Sequence, residues 1–135
     1  MHYYDVELAD FLTARNAEDE ARARDAAPGP WHTNAESDEV VAVDEITVAE
    51  GFALSGPQVR ATTAHIARHD PSRVLVDVTA RRAIVENYRR QGQLSEREQQ
   101  SSALRYSTAA LGWACLQLAQ PFADHPDFAN RWRPL

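Results

Sequence analysis

Between residues 5 and 27 the apolar side chains of Tyr4, Leu8, Phe11 and Leu12 return every three or four positions, which sets them on one face of a helix for its first three turns. Beyond Arg15 the apolar residues are alanines. Ala17, Ala21 and Ala23, set among Glu18, Asp19, Glu20, Arg22 and Arg24, favour helix without adding core bulk. Asp5 is placed to cap the start, and Pro28-Gly29-Pro30 ends the helix because neither proline can donate a helical hydrogen bond. From Trp31 the period changes. Val40-Val41-Ala42-Val43 and Ile46-Thr47-Val48-Ala49 are short, rich in β-branched residues and separated by Asp44-Glu45, which predicts a hairpin within residues 31–54. Gly51 and Gly56-Pro57 punctuate its end. A two-stranded ribbon is marginal alone, so a third strand is expected around Gln58-Val59-Arg60.

Three further helices follow in the pattern. Residues 61–69 read as a short one, and Asp70-Pro71 opens the next with Asp70 as N-cap and Pro71 at the first helical position. Val74, Val78, Val85 and Tyr88, joined by Leu75 and Ile84, give that helix a buried face over 71–91, with Gly92 as its stop. Ser95-Glu96-Arg97-Glu98 has the form of a capping box, which predicts a last helix over 95–120. Leu104, Leu111 and Leu118 recur every seventh residue there, with Thr108 and Cys115 between them, a seam of about two heptads suited to packing within the chain or to a homodimer through this helix. Pro121 closes it. The aromatic tail, 121–135, carries Phe122, Phe128 and Trp132, large enough to fold back over a core. The architecture predicted is α+β: a small antiparallel hairpin or three-stranded sheet packed on three to four helices, in a single domain over 1–135.

Composition narrows the classes. The 135 residues are 44% hydrophobic and 25% charged, with five Gly, seven Pro and one Cys, which excludes collagen-like and disulfide-framework chains. No apolar run approaches the roughly 18 residues of a spanning helix. Met1-His2-Tyr3-Tyr4-Asp5 has neither a cationic leader nor a signal-length apolar stretch, so a cytoplasmic location is expected. All 14 basic residues are Arg, a bias that points to GC-rich codons in the source. Net charge is −6, but unevenly spread: residues 1–56 carry −10 and residues 57–135 carry +4. Such asymmetry marks either a partner-binding face or two halves that satisfy one another.

Candidate chemistry is sparse. His65 and His69 stand four apart, so on a helix their rings share a face and could take one metal ion, zinc by preference, with a third ligand from Asp70, Asp124 or His125. A helix-end histidine equally serves as a C-terminal cap. His125 between Asp124 and Pro126 has the look of an oriented base, yet no strand–Ser–helix elbow, glycine-rich phosphate loop or exposed nucleophile accompanies it. Arg73, Arg81, Arg82, Arg89 and Arg90 could neutralise phosphates, a nucleic-acid reading, although Asp77 and Glu86 lie four residues before Arg81 and Arg90, as in helix salt bridges. The carboxylates Glu36, Asp38, Glu39, Asp44, Glu45 and Glu50 stand in fifteen residues without a base, and their field would steer a basic protein partner. Trp31, Asp70, Pro71, Trp113 and Trp132 read as structural anchors.

Three segments together carry a resemblance. Ala27-Pro28-Gly29-Pro30-Trp31, the junction Ala64-His65-Ile66-Ala67-Arg68-His69-Asp70-Pro71, and Ala123-Asp124-His125-Pro126-Asp127-Phe128 with Trp132-Arg133-Pro134 resemble an uncharacterised family of small actinobacterial and actinophage proteins, in this order over nearly the full length. The first two segments are also loosely similar to accessory proteins from the early region of lambdoid phages. The resemblance implies origin and architecture without an activity. It also implies a zinc site in members with extra Cys between the central helix and the tail, where this chain offers only Cys115. The function expected is non-catalytic: a small phage- or prophage-type accessory protein that binds a host or phage protein. The alternatives are a metal-binding regulator or metal-dependent enzyme built on His65, His69, Asp124 and His125, and nucleic-acid binding by the Arg face.

Overall fold

The Asp5 carboxylate accepts the N–H of Leu8 at 3.1 Å, the bond an N-cap makes, and helix α1 follows over Val6–Asp25. The computed structural model describes residues 4–52 and 54–135; Met1, His2 and Tyr3 of the expected leaderless start, and Ala53 within the predicted hairpin, lie outside them. Among the described residues four α-helices and one three-stranded antiparallel sheet make the fold α+β.

Strands β1 (His32–Thr33), β2 (Glu39–Val41) and β3 (Thr47–Glu50) pair in that order. Glu39 stands opposite Glu50 and Val40 opposite Ala49, with a bulge at Val40/Val41. The third strand is therefore upstream of the hairpin, and the expectation of a strand at 58–60 is corrected: Gln58, Val59 and Arg60 are helical. Ser55, Pro57 and Gln58 explain why. The Ser55 hydroxyl accepts the N–H of Gln58 while the Gln58 side chain accepts the N–H of Ser55, a complete capping box with proline in the first turn, so α2 runs over Gly56–Arg68 and starts five residues before the predicted 61.

The boundary between the last two helices also moves. Helix α3 runs unbroken over Pro71–Arg97, through Gly92 and Ser95, and α4 covers Ser102–Ala119. Gly92 is not a stop: a Cβ built on it would lie 2.3 Å from Cγ of Tyr4, so the position is glycine to let that ring approach the helix. Ser95 is buried within α3 rather than capping a new helix, and the cap belongs to Ser101, whose hydroxyl accepts the N–H of Leu104 at 3.2 Å.

The chain forms two compact units. One holds the residues up to Ala17 together with Thr79–Leu135. Its core joins Tyr4, just before α1, and Leu8, Phe11 and Leu12 of α1 to Val85 and Tyr88 of α3, Cys115 and Ala119 of α4, and Phe128 and Trp132 of the tail. Phe11 lies among the rings of Phe122, Phe128 and Trp132 with centroids 5.1 to 6.3 Å away, in edge-on and tilted geometries that aromatic pairs favour. The half-buried Leu111 and Leu118 pack against the same core. The other unit, Glu18–Val78, buries Val40, Val41, Ala42, Thr63 and Val78. There α2 packs against β1 and β2, and the buried Thr63 hydroxyl lies 2.9 Å from the carbonyl of Ser37, to which it can donate.

Candidate partner-binding surface

The acidic strip is organised by one amide. Asn34 opens the connection from β1 to β2, and its Oδ1 accepts the N–H groups of Asp38 and Glu39, both at 3.0 Å. Its Nδ2 donates to Asp38 at 2.7 Å and to Glu36 at 3.2 Å, with a Glu39 oxygen 3.5 Å away. Three carboxylates are thus drawn round one neutral side chain. The next turn adds Asp44, which accepts the N–H of Ile46, and Glu45, 3.8 Å from the His32 ring. Glu36, Asp38, Asp44, Glu45 and Glu50 are exposed and Glu39 is half-buried. Two costs are built in here. Glu39 and Glu50 face each other across the sheet, a like-charge pairing that opposes folding. Ser37 (φ 57°) and Glu45 (φ 67°) adopt left-handed backbone that residues with a Cβ rarely take.

Apolar residues lie beside these charges. Val43 and Ile46 in the β2–β3 turn are 51% and 61% exposed, and Phe52, just past β3, is 87% exposed. The sequence pattern counts Val43 and Ile46 as strand residues with no sign of which face they take. The only available hint to Phe52 is its place between Gly51 and the helix cap at Ser55.

The residues proposed for metal fall in two different units. His65 and His69 are neighbours, with ring centroids 4.4 Å apart, and both are exposed. His69 is the C-cap of α2, its backbone N–H donating to the carbonyls of His65 and Ile66, and its Nδ1 lies 2.8 Å from the His65 carbonyl, where it must carry a proton to donate. Asp124 and His125 belong to the other unit. The Arg15 guanidinium lies 2.6 Å from Nε2 of His125 and the Asp127 N–H points to Nδ1 at 3.0 Å, so both nitrogens face donors and a neutral ring accepts only one. Among the described residues no group of three or more His, Cys, Asp or Glu is placed to hold a metal ion.

Of the anchors, Asp70 and Pro71 are buried at the start of α3. One Asp70 oxygen accepts the N–H of Arg73 at 2.9 Å as an N-cap, and the other accepts the N–H of Trp31 at 2.9 Å. Trp31 is half-buried, and its indole donates to Ala27. Trp132 is 4% exposed and donates to Asp5 at 2.9 Å. Trp113 is a correction: it is 66% exposed, because the buried side of α4 is taken by Thr108, Gly112, Cys115 and Ala119. Of the Arg face, Arg89 pairs with Asp10 at 2.8 Å and also reaches Thr13, while Arg90 bonds Asn87.

In the unit that holds Trp132, burial and pairing shift Asp5, Tyr88 and Cys115. Burial works to raise the Asp5 pKa, but hydrogen bonds from Arg131, Trp132 and the Leu8 N–H, with the charge of Arg131, outweigh it and hold the carboxyl below its usual range. Burial pushes the Tyr88 phenol up to about 12 and the Cys115 thiol up to about 11, which keeps both neutral at physiological pH. An open cleft of about 500 Å³ beside Asp5 is lined by Tyr4, Asp5, Val6, Glu7, Glu96 and Arg131. Arg131 is already paired there with both Asp5 and Glu7 at 3.0 Å. No helix among the described residues is long and apolar enough to cross a membrane.

Residues 5–134 match the model of DUF6221, a family of unknown function, and the chain belongs to that family. No curated protein and no solved structure matches it.

Proposed function

We propose that this member of the DUF6221 family is a binding protein that works without catalysis, and that the sheet of the Glu18–Val78 unit is its contact surface for a protein with a basic face. The observation that carries this reading is the Glu39–Glu50 pairing, two carboxylates held opposite each other on a small sheet. A basic side chain placed between them would turn a repulsion into two favourable pairs. The exposed Ile46 and Phe52 supply apolar area next to the charges, the combination that gives an interface a dry centre and a polar rim. The left-handed Ser37 and Glu45 fit the same reading, since backbone strain persists where function selects it. The wider role proposed is that of a phage- or prophage-type accessory protein acting on a host or phage protein. Its support is the segment resemblance and the exclusive use of Arg.

The test is capture from a lysate of a GC-rich actinobacterium, at low and moderate salt, with the parent chain and a Glu39→Gln/Glu50→Gln/Phe52→Ser variant. Enrichment of a basic protein by the parent, weakened by salt and lost in the variant, is the expected result. Recovery of the bait alone, or equal recovery by both chains, overturns the reading.

A further inference from the structure

We infer that the protein self-associates through the outward face of α4, as an antiparallel pair of helices related by a two-fold axis. This rests on the other unit and is independent of the sheet reading. On α4 the residues Ala103, Tyr106, Ala110, Trp113 and Gln117 are all exposed, and they follow one another at intervals of three, four, three and four, the spacing of a helix–helix seam. Tyr106 is 73% and Trp113 66% exposed. The Leu104, Leu111 and Leu118 seam is a different one: its leucines are half-buried, so the helix carries a second, outward stripe.

Three properties of that stripe select a second copy as its occupant. It is symmetric about its middle: an axis passing beside Ala109 and Ala110 sets Tyr106 of one copy against Trp113 of the other, twice, with small residues where the backbones cross. It also lacks carboxylates, and the one charged residue of α4, Arg105, is turned to Gln99 and Ser102 of its own chain. In a chain of net charge −6, a copy meeting its twin here avoids setting acid against acid. Finally, four partly exposed aromatic rings and the alanines between them would bury on the order of 1,000 Å² in total, the low end of specific interfaces and enough for a dimer that forms and parts with concentration. Tyrosine and tryptophan at the centre are the side chains that carry most energy in such contacts.

Sedimentation velocity over a rising concentration series is the first measurement. The average mass of the parent chain is expected to climb from 15.1 kDa toward twice that value, and Trp113→Glu to stay at the single-chain mass throughout with an unchanged far-ultraviolet spectrum. A parent chain that stays single at every concentration, or a Trp113→Glu chain that associates like the parent, overturns the proposal and gives the stripe to another partner or to none. Geometry is tested separately by oxidation. Ala110→Cys, beside the axis, is expected to cross-link to its own copy, and Ala103→Cys is not. Cross-linking at 103 without cross-linking at 110 would rule out the antiparallel pair. Cys115 is buried, so the parent chain serves as the uncross-linked control.

Discussion

Each unit of the molecule contains an aspartate that caps a helix with one oxygen and holds a tryptophan with the other, and the two do different work. Asp5 caps α1 and receives the Trp132 indole and the Arg131 guanidinium, half-buried at the edge of a core of edge-on and tilted aromatic rings. Asp70 caps α3 and receives only the backbone N–H of Trp31, whose ring stays half in solvent. The first unit turns its polar groups inward to fasten large side chains. The second fastens backbone and leaves Ile46, Phe52 and five carboxylates exposed, with the smaller Val40, Val41, Ala42 and Val78 among its buried side chains. The same capping chemistry therefore serves a unit built round buried aromatic rings in one place and a unit with an exposed acidic sheet in the other.

The sharpest way to break this contrast is to remove each tryptophan. Trp132→Ala is expected to cost about 3–5 kcal/mol, as for a buried indole, and Trp31→Ala about 1–2 kcal/mol. Equal losses in denaturant unfolding would mean that the two units are not built differently. Next in size is Gly92→Ala. Helix propensity alone would gain about 1 kcal/mol, but the new methyl meets the buried Tyr4 ring, and overpacking of that kind costs about 1–3 kcal/mol. A net loss is expected, larger than for Gly112→Ala, where the nearest atom, on Tyr88, is 3.3 Å away; a thermal melt in which both variants gain stability would refute the close-approach account.

Asp5→Asn sharpens the comparison through pH. Because the folded pKa of Asp5 lies below its ordinary value, its charge contributes stability that is present above about pH 4 and is lost as the pH falls through the folded value. Because asparagine caps a helix as well as aspartate, the variant loses mainly the charge that pairs with Arg131, and it should be less stable than the parent by about 1 kcal/mol or less at neutral pH, the scale of a partly exposed ion pair, with the two converging in acid. A gap that stays constant down to low pH would show that shape, not charge, is what Asp5 supplies. The smallest effect is expected in the sheet. Glu50→Gln removes the like-charge pairing and should stabilise by a few tenths of a kcal/mol, an increase visible in unfolding titrations at low salt and fading as salt rises. A loss of stability would mean that Glu50 supports the sheet it is proposed to burden.

Much of this was legible in order and class. The α1 face, the Asp5 and Asp70 caps, the β2–β3 hairpin and the carboxylates that Asn34 gathers all follow from local spacing. The misreadings share a cause. Gly56-Pro57 and Gly92 were legible as breaks, since both residues interrupt helices on average, yet Pro57 sits in a first turn where it fits and Gly92 answers a ring 88 positions away in the chain. Trp113 has the size of a core residue, and only the packing of Gly112 and Cys115 on the other side of α4 shows that it points out. Side-chain volume states how much surface a residue can bury; which way its helix is turned is decided by contacts distant in sequence.

The bonds from Arg131 and Trp132 to Asp5 span more than 120 positions. During synthesis, then, α1 and its local cap emerge early, and Asp5 waits for Arg131 and Trp132, as Phe11 waits for Phe122, Phe128 and Trp132. The unit that holds Asp5 can close only after Trp132 has left the ribosome, whereas the sheet and α2 lie within a unit whose residues end at Val78. A ribosome stalled shortly before Arg131 would therefore carry a complete acidic sheet on a nascent chain whose aromatic core is still open.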